Sequence, residues 1–159
     1  FSANYTYTKS EVKADANDVI TTFDDRLVYA SDLGLDGSPM QGSPENIVNV
    51  QFGWEGDDDQ FTLLVGWVDE RILLRGAGAP SAANLDPLLD VIEDPGVQLD
   101  MTYKRNFSVG GREATLGFSV RNLLNQDNEE FLTNSKGERT EFNTFARGTS
   151  ISASLSADF

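Results

Sequence analysis

Thr149-Ser150-Ile151-Ser152-Ala153-Ser154-Leu155-Ser156-Ala157-Asp158-Phe159 is the stretch on which the reading of this chain turns. A β-strand sends successive side chains to opposite faces, so Ile151, Ala153, Leu155, Ala157 and Phe159 share one apolar face. Ser150, Ser152, Ser154, Ser156 and Asp158 share the other, which is polar. A half-buried strand of a soluble sheet has the same period, so the pattern acquires meaning only from the rest of the chain.

The rest of the chain repeats it. Residues 1–10, 46–55, 60–71, 97–108, 113–124 and 148–159 all alternate, and each is close to the ~9–11 residues with which a tilted strand crosses a bilayer. Within each segment one parity is apolar: Phe1, Ala3, Tyr5 and Tyr7, then Val48, Val50, Phe52 and Trp54, then Phe61, Leu63, Val65 and Trp67. In the fourth and fifth segments the apolar positions are Val97, Leu99, Met101 and Tyr103, and then Leu116, Phe118 and Val120. The opposite parity carries Asn4, Thr6, Asn49, Gln51, Thr62, Gln98, Asp100, Thr102, Lys104, Thr115, Ser119 and Arg121, interrupted by Ile47, Leu64 and Val68.

The connections alternate as well. Glu55-Gly56-Asp57-Asp58-Asp59 and Val109-Gly110-Gly111-Arg112 are tight turns, whereas 11–45, 72–96 and 125–147 are long and rich in Asp, Glu, Asn, Gly and Pro. Short turns at one end and long loops at the other are the pattern of transmembrane barrels. Compact soluble domains rarely carry several structureless connections longer than about 15 residues. Register gives a third indication. With Gly110-Gly111 at the centre of a hairpin turn, Met101 faces Val120, Tyr103 faces Phe118, and Asp100 faces Arg121 on the polar side. A turn centred on Asp57-Asp58 sets Trp54 beside Phe61, Phe52 beside Leu63 and Val48 beside Trp67. Both hairpins therefore close with their apolar residues on one side.

Composition removes other classes. The 159 residues carry a net charge of −14 and contain neither His nor Cys, which leaves no disulfides, thiolate zinc site, Cys or Ser-His nucleophile pair, or His base. An acidic chain repels phosphate backbones, so nucleic acid is not an expected partner. No run approaches the ~18 apolar residues of a membrane helix, and no signal peptide opens the sequence. The chain starts at Phe1 within an alternating pattern, which suggests a segment of a larger protein.

Ala3-Asn4-Tyr5-Thr6-Tyr7-Thr8, Asn46-Ile47-Val48-Asn49-Val50-Gln51-Phe52-Gly53-Trp54-Glu55, Asp94-Pro95-Gly96-Val97-Gln98-Leu99-Asp100, Val120-Arg121-Asn122-Leu123-Leu124-Asn125 and the closing strand to Phe159 together resemble the carboxy-terminal barrel of TonB-dependent outer-membrane receptors. The Val-Arg-Asn-Leu-Leu-Asn stretch before the last loop is the most specific element. The resemblance covers essentially the whole chain. It implies an all-β, antiparallel up-and-down transmembrane β-barrel, of which these are the last six strands out of about 22, enclosing a plug. The implied function is energy-coupled import of a scarce solute such as ferric siderophore, cobalamin or oligosaccharide. The implied partners are outer-membrane lipid and lipopolysaccharide, the barrel assembly machinery, and the TonB complex through a plug absent from this chain. A passive porin or structural outer-membrane barrel and a soluble β-sandwich binding module are the alternatives.

Candidate residues follow. Ile151, Ala153, Leu155 and Phe159 resemble the terminal signal read by the assembly machinery. Trp54, Phe61, Trp67, Tyr103 and Phe107 suit the aromatic girdles of a membrane interface. Asp100 and Arg121 are expected to pair across strands in the lumen, contributing on the order of 0.2–1 kcal/mol. The loops 11–45, 72–96 and 125–147 are the expected solute-capturing surface. Their carboxylates Asp15, Asp18, Asp24, Asp25, Asp36, Glu93, Asp94, Asp127, Glu129 and Glu130 have the oxygen chemistry of calcium ligands, but solvated charge is the expectation, with no metal or other cofactor. Neither Asp24-Asp25 nor Glu129-Glu130 supplies the two rigidly separated carboxyls of a glycosidase, and no catalytic residue is expected.

Overall fold

The computed structural model describes residues 1–21, 25–75, 89–133 and 138–157. Its strands in chain order are β1 (Ser2–Tyr7), β2 (Val19–Thr21), β3 (Leu27–Tyr29), β4 (Asn46–Glu55), β5 (Asp59–Val68) and β6 (Arg71–Leu74). They continue with β7 (Val91–Asp94), β8 (Gly96–Val109), β9 (Arg112–Arg121), β10 (Asn128–Thr133), β11 (Arg139–Phe145) and β12 (Ser150–Ala157). A 3-10 turn covers Ala30–Leu33. Among the described residues no helix is long and apolar enough to cross a membrane. The protein is all-β, its sheets are antiparallel, and none closes into a barrel.

The six alternating segments form one meandering sheet in the order β1-β4-β5-β8-β9-β12. Both hairpin registers match the sequence reading: Trp54 pairs with Phe61, Phe52 with Leu63 and Val48 with Trp67, while Met101 pairs with Val120 and Tyr103 with Phe118. Gly110 and Gly111 make the second turn possible because both backbones are left-handed, at φ 61° and 78°, where a side chain is disfavoured. The expected ends are trimmed. The first strand stops at Tyr7, the fifth at Arg121, and the segment 60–71 divides between β5 and the start of β6.

The long connections are not structureless, which corrects the expectation from sequence. Residues 72–96 and 125–147 contribute to a second sheet, β11-β10-β7-β6, and 11–45 holds the β2-β3 hairpin. The strands of the second sheet follow one another in the same order as the strands to which they are joined. β5 leads through Asp69-Glu70 into β6, β7 through Pro95 into β8, β9 through 122–127 into β10, and β11 through 146–149 into β12. The sequence β6-β7-β10-β11 thus repeats β5-β8-β9-β12, and the second sheet prolongs the first beyond a crease.

The crease is built from residues that bend or end a ladder. Pro95 has no N–H to donate, and Gly96, Asn122, Asn125 and Gly148 all adopt positive φ, between 52° and 67°. The Gln126 side chain lies over Gly96 so closely that a Cβ there would approach its Cδ to 2.6 Å.

The two sheets differ in where they hide apolar area. Val91 is completely buried and Phe131 nearly so, both in the smaller sheet. In the larger sheet Ile151 is 66 % exposed, Leu155 70 % and Trp54 52 %. Among the described residues no second layer covers either face of the larger sheet, whose strands make their extended contacts with one another.

Candidate functional site

The larger sheet presents two chemically distinct faces, and the cross-strand rows define both. On the apolar face, Trp54, Phe61, Tyr103 and Phe118 form one continuous row across four strands. Trp67 belongs to another row, with Tyr5, Val48 and Val97. Phe107 lies opposite Ala114, towards the Gly110-Gly111 turn. The girdle candidates therefore share one face and fall towards its two ends.

Polar groups border that face at both ends. Near the short turns, the Tyr103 hydroxyl donates to Asp59 Oδ1, and Arg105 Nε lies 3.8 Å from the same oxygen. At the crease end, the Tyr5 hydroxyl donates to Asn46 Oδ1 at 2.7 Å, and Asn46 Nδ2 donates to Asp69 Oδ2 at 2.7 Å. Between Asp59 and Asp69, β5 puts only Phe61, Leu63, Val65 and Trp67 on this face.

The opposite face carries amides and hydroxyls. Asn4, Asn49, Gly66 and Gln98 form one row, and Ser2, Gln51, Leu64 and Asp100 the next. A third comprises Gly53, Thr62, Thr102, Ser119 and Ser152, in which the Ser119 and Ser152 hydroxyls are 2.7 Å apart. Gly117 faces Ser154 so closely that a Cβ would come within 2.5 Å of Ser154 Oγ. A groove of about 380 Å³ opens over the first two rows.

The expected ion pair does not form. Met101 and Val120 are the last residues paired between β8 and β9, and Asn122 then turns into the left-handed region at φ 53°. The Asp100 carboxylate accepts the Asn122 backbone N–H at 2.9 Å instead of meeting the guanidinium of Arg121, which is exposed and whose residue pairs with Ser150 on β12. The physical reason is competition. A fixed backbone donor delivered by the turn costs less side-chain entropy than holding two flexible charged groups together at an exposed site.

Asn122 is the residue for which the sequence suggested no role. It is buried, and its Nδ2 donates to Gln126 O at 3.0 Å and Gly148 O at 3.1 Å, while its Oδ1 accepts Gln126 N–H at 2.9 Å. The Thr149 hydroxyl donates to its carbonyl at 2.8 Å. One side chain thus ties the end of β9 to the start of β12 and to the turn between them. The legible signal was the pair Asn122 and Asn125 flanking Leu123-Leu124 at a strand end, because Asn tolerates left-handed backbone. Leu123 and Leu124, expected within the strand, are exposed in the turn.

The loop carboxylates are mostly occupied one at a time. Glu93 meets Arg71 at 2.6 Å, and Glu130, opposite Glu93, accepts Asn143 Nδ2 at 3.2 Å. Glu129 lies opposite Asp94, whose Oδ1 accepts the Gly96 N–H at 3.0 Å. Asp18 accepts the Asp15 N–H at 2.9 Å, and Asp36 accepts the Ala14 N–H at 3.4 Å. Asp25 stands at positive φ, and one carboxylate oxygen of Asp127 is buried without a partner. Among the described residues no group of acidic side chains is arranged to hold a metal. Asp24 lies outside the described residues. In the 11–45 loop, Lys9 at its entrance contacts Glu11 at 2.8 Å, which raises the Lys9 pKa and lowers that of Glu11 through their hydrogen bond and mutual attraction.

Of the terminal-signal residues, Ile151, Ala153 and Leu155 are exposed on the apolar face of the edge strand β12, and Phe159 lies outside the described residues. No family model, curated protein or solved structure matches the chain.

Proposed function

We propose that this chain is part of the wall of a TonB-dependent outer-membrane importer, a barrel of about 22 strands around a plug, with the amide-rich face towards the lumen. The observation that carries the reading is the bare apolar face with polar borders at Asp59 and Asp69. These residues stand ten positions apart on one strand line, about 33 Å at ~3.3 Å per residue. A strand tilt of ~35–45° turns that length into about 23–27 Å of depth, against an apolar band about 25 Å tall in outer-membrane barrels. Hydrocarbon satisfies this face, and the borders supply tyrosine hydroxyls at interfacial depth.

A β-sandwich would need a second sheet over the apolar face, whereas the four-stranded sheet here follows the strand order of the larger one and prolongs it. The prolonged wall and the 11–45 loop would then stand outside the cell, available to solute and to lipopolysaccharide. Further strands would pair with the open edges β1 and β12, because unpaired backbone groups in lipid cost several kcal/mol each. The exposed Ile151-Ala153-Leu155 face would be presented to the assembly machinery.

Fractionation and transport test this reading together. The expected protein sits in the outer membrane, migrates differently on gels before and after boiling, and supports uptake that stops when the TonB complex is deleted. A protein that stays monodisperse without detergent or lipid defeats the membrane assignment. Uptake indifferent to TonB would identify a passive porin.

A further inference from the structure

We propose that the groove on the polar face, over Asn4, Asn49, Gln51, Gly66, Gln98 and Asp100, takes an uncharged, hydroxyl-rich solute of the oligosaccharide class. The inference rests on the importer reading, since it assumes that this face lines a solute path. Its volume, about 380 Å³, is within the ~300–1,000 Å³ of small-molecule sites.

The lining chemistry selects the ligand. A carboxamide offers two donors and an acceptor, which matches the mixed donor and acceptor character of a sugar hydroxyl. Asn49 and Gln51 are exposed, and among the described residues their side-chain amides have no hydrogen-bond partner, so their full capacity faces the groove. Asn4 uses its oxygen to accept the Thr6 hydroxyl at 3.2 Å, which leaves its two N–H donors. Gly66 lies between Asn49 and Gln98 in the same row. The space a Cβ would take there meets only Asn49 Oδ1, at 3.5 Å, so a solute can approach the backbone.

Charge argues in the same direction. Among the described residues Asp100 is the single charged one of the lining, and its Oδ1 already accepts the Asn122 N–H at 2.9 Å. Among the described residues no guanidinium or ammonium lines the groove to neutralise a carboxylate, phosphate or ferric catecholate. The net charge of −14 adds a field that opposes anions. A neutral polyol meets neither obstacle.

Binding to the intact receptor in detergent, by calorimetry, tests the proposal with cellohexaose, maltohexaose and xylohexaose as neutral probes. Hexagalacturonate and a ferric tris-catecholate serve as anionic ones. At least one neutral hexasaccharide should bind ten-fold or more tightly than either anion. Asn49→Ala with Gln51→Ala should weaken it at least ten-fold, with unchanged heat-modifiable migration. Tighter binding of an anion, no binding of any neutral probe, or an unaffected double variant overturns the proposal. The chain has no cysteine, so Asn49→Cys gives a handle unique within it, with the unsubstituted receptor as the labelling control. Protection from a maleimide by the bound hexasaccharide supports the groove as its site, whereas a cross-link to another segment of the receptor assigns the groove to protein packing and overturns it. Failure of the outer-membrane fractionation counts against the importer reading itself; correct insertion with the wrong ligand preference counts against this inference alone.

Discussion

The six-stranded and four-stranded sheets are made by the same run of chain and share a strand order, yet most of the large exposed apolar side chains stand on the six-stranded one. The smaller sheet buries the centre of its β7-β10 pair, while its edge strand β11 stays exposed. Val91 packs out of solvent, Phe131 lies under the Arg139 guanidinium at 4.0 Å, and Gln41 and Gly42 donate to the Leu73 and Ile72 carbonyls along its β6 edge. The larger sheet leaves Ile151, Leu155, Trp54 and Tyr5 uncovered. Exposed single apolar residues are ordinary, but a contiguous face of them marks an interaction surface. Under the importer-wall proposal, the crease would be a boundary between two solvents: water for the sheet beyond it, and hydrocarbon for the apolar face of the sheet before it.

The sharpest way to break this contrast is to place a charge in each sheet. Leu63→Arg, midway along β5 on the apolar face, should destabilise the lipid-reconstituted protein by about 2–4 kcal/mol in denaturant titration. Phe142→Arg, at an exposed site on β11, should stay within about 0.5 kcal/mol. Equal penalties would remove the two-solvent account. The next effect concerns the crease. Asn122→Ala loses its bonds to Gln126 and Gly148 and strains a left-handed backbone, together about 2–3 kcal/mol. Asn122→Gly should cost less because only the bonds are lost. Limited proteolysis within 122–149 should accelerate in the same order, and identical behaviour of the two variants would dismiss the backbone contribution.

Within the smaller sheet, Arg139→Ala removes the contact with the Phe131 ring and the 2.9 Å ion pair to Glu70. About 1 kcal/mol is expected, since the cation–π contact and an exposed pair each contribute fractions of that. The smallest effect is expected at Arg121. Arg121→Ala should change stability by less than about 0.5 kcal/mol, with no coupling to Asp100→Ala in a double-mutant cycle. A coupling near 1 kcal/mol would restore the lumenal ion pair and contradict the partner seen for Asp100.

Much of the larger sheet was legible because its signal is local and redundant. Parity alone places Phe61, Leu63, Val65 and Trp67 on one face, and each hairpin turn fixes the pairing of its two strands, so a slip of one residue would have set apolar against polar side chains. The second sheet was not legible for the same reason in reverse. β6 and β7 are four residues each, too short to display a period, and β10 begins Asn128-Glu129-Glu130, a composition that reads as loop. The Asp100-Arg121 error is of another kind. Position numbers summing to the hairpin register brought the two residues opposite each other, but register is a backbone rule, and the ladder stops one residue short of them at Met101 and Val120.

The sequence by itself determined the six strands, their pairing across the two tight turns and the division into apolar and polar faces, since each depends on a period of two and on turn chemistry within a few residues. Only the tertiary structure decided where the sheet creases, that the long connections prolong it, and that Asn122 rather than Arg121 satisfies Asp100. Those outcomes depend on donors and acceptors brought together from β8, β9 and β12, whose competition for one another no local pattern records.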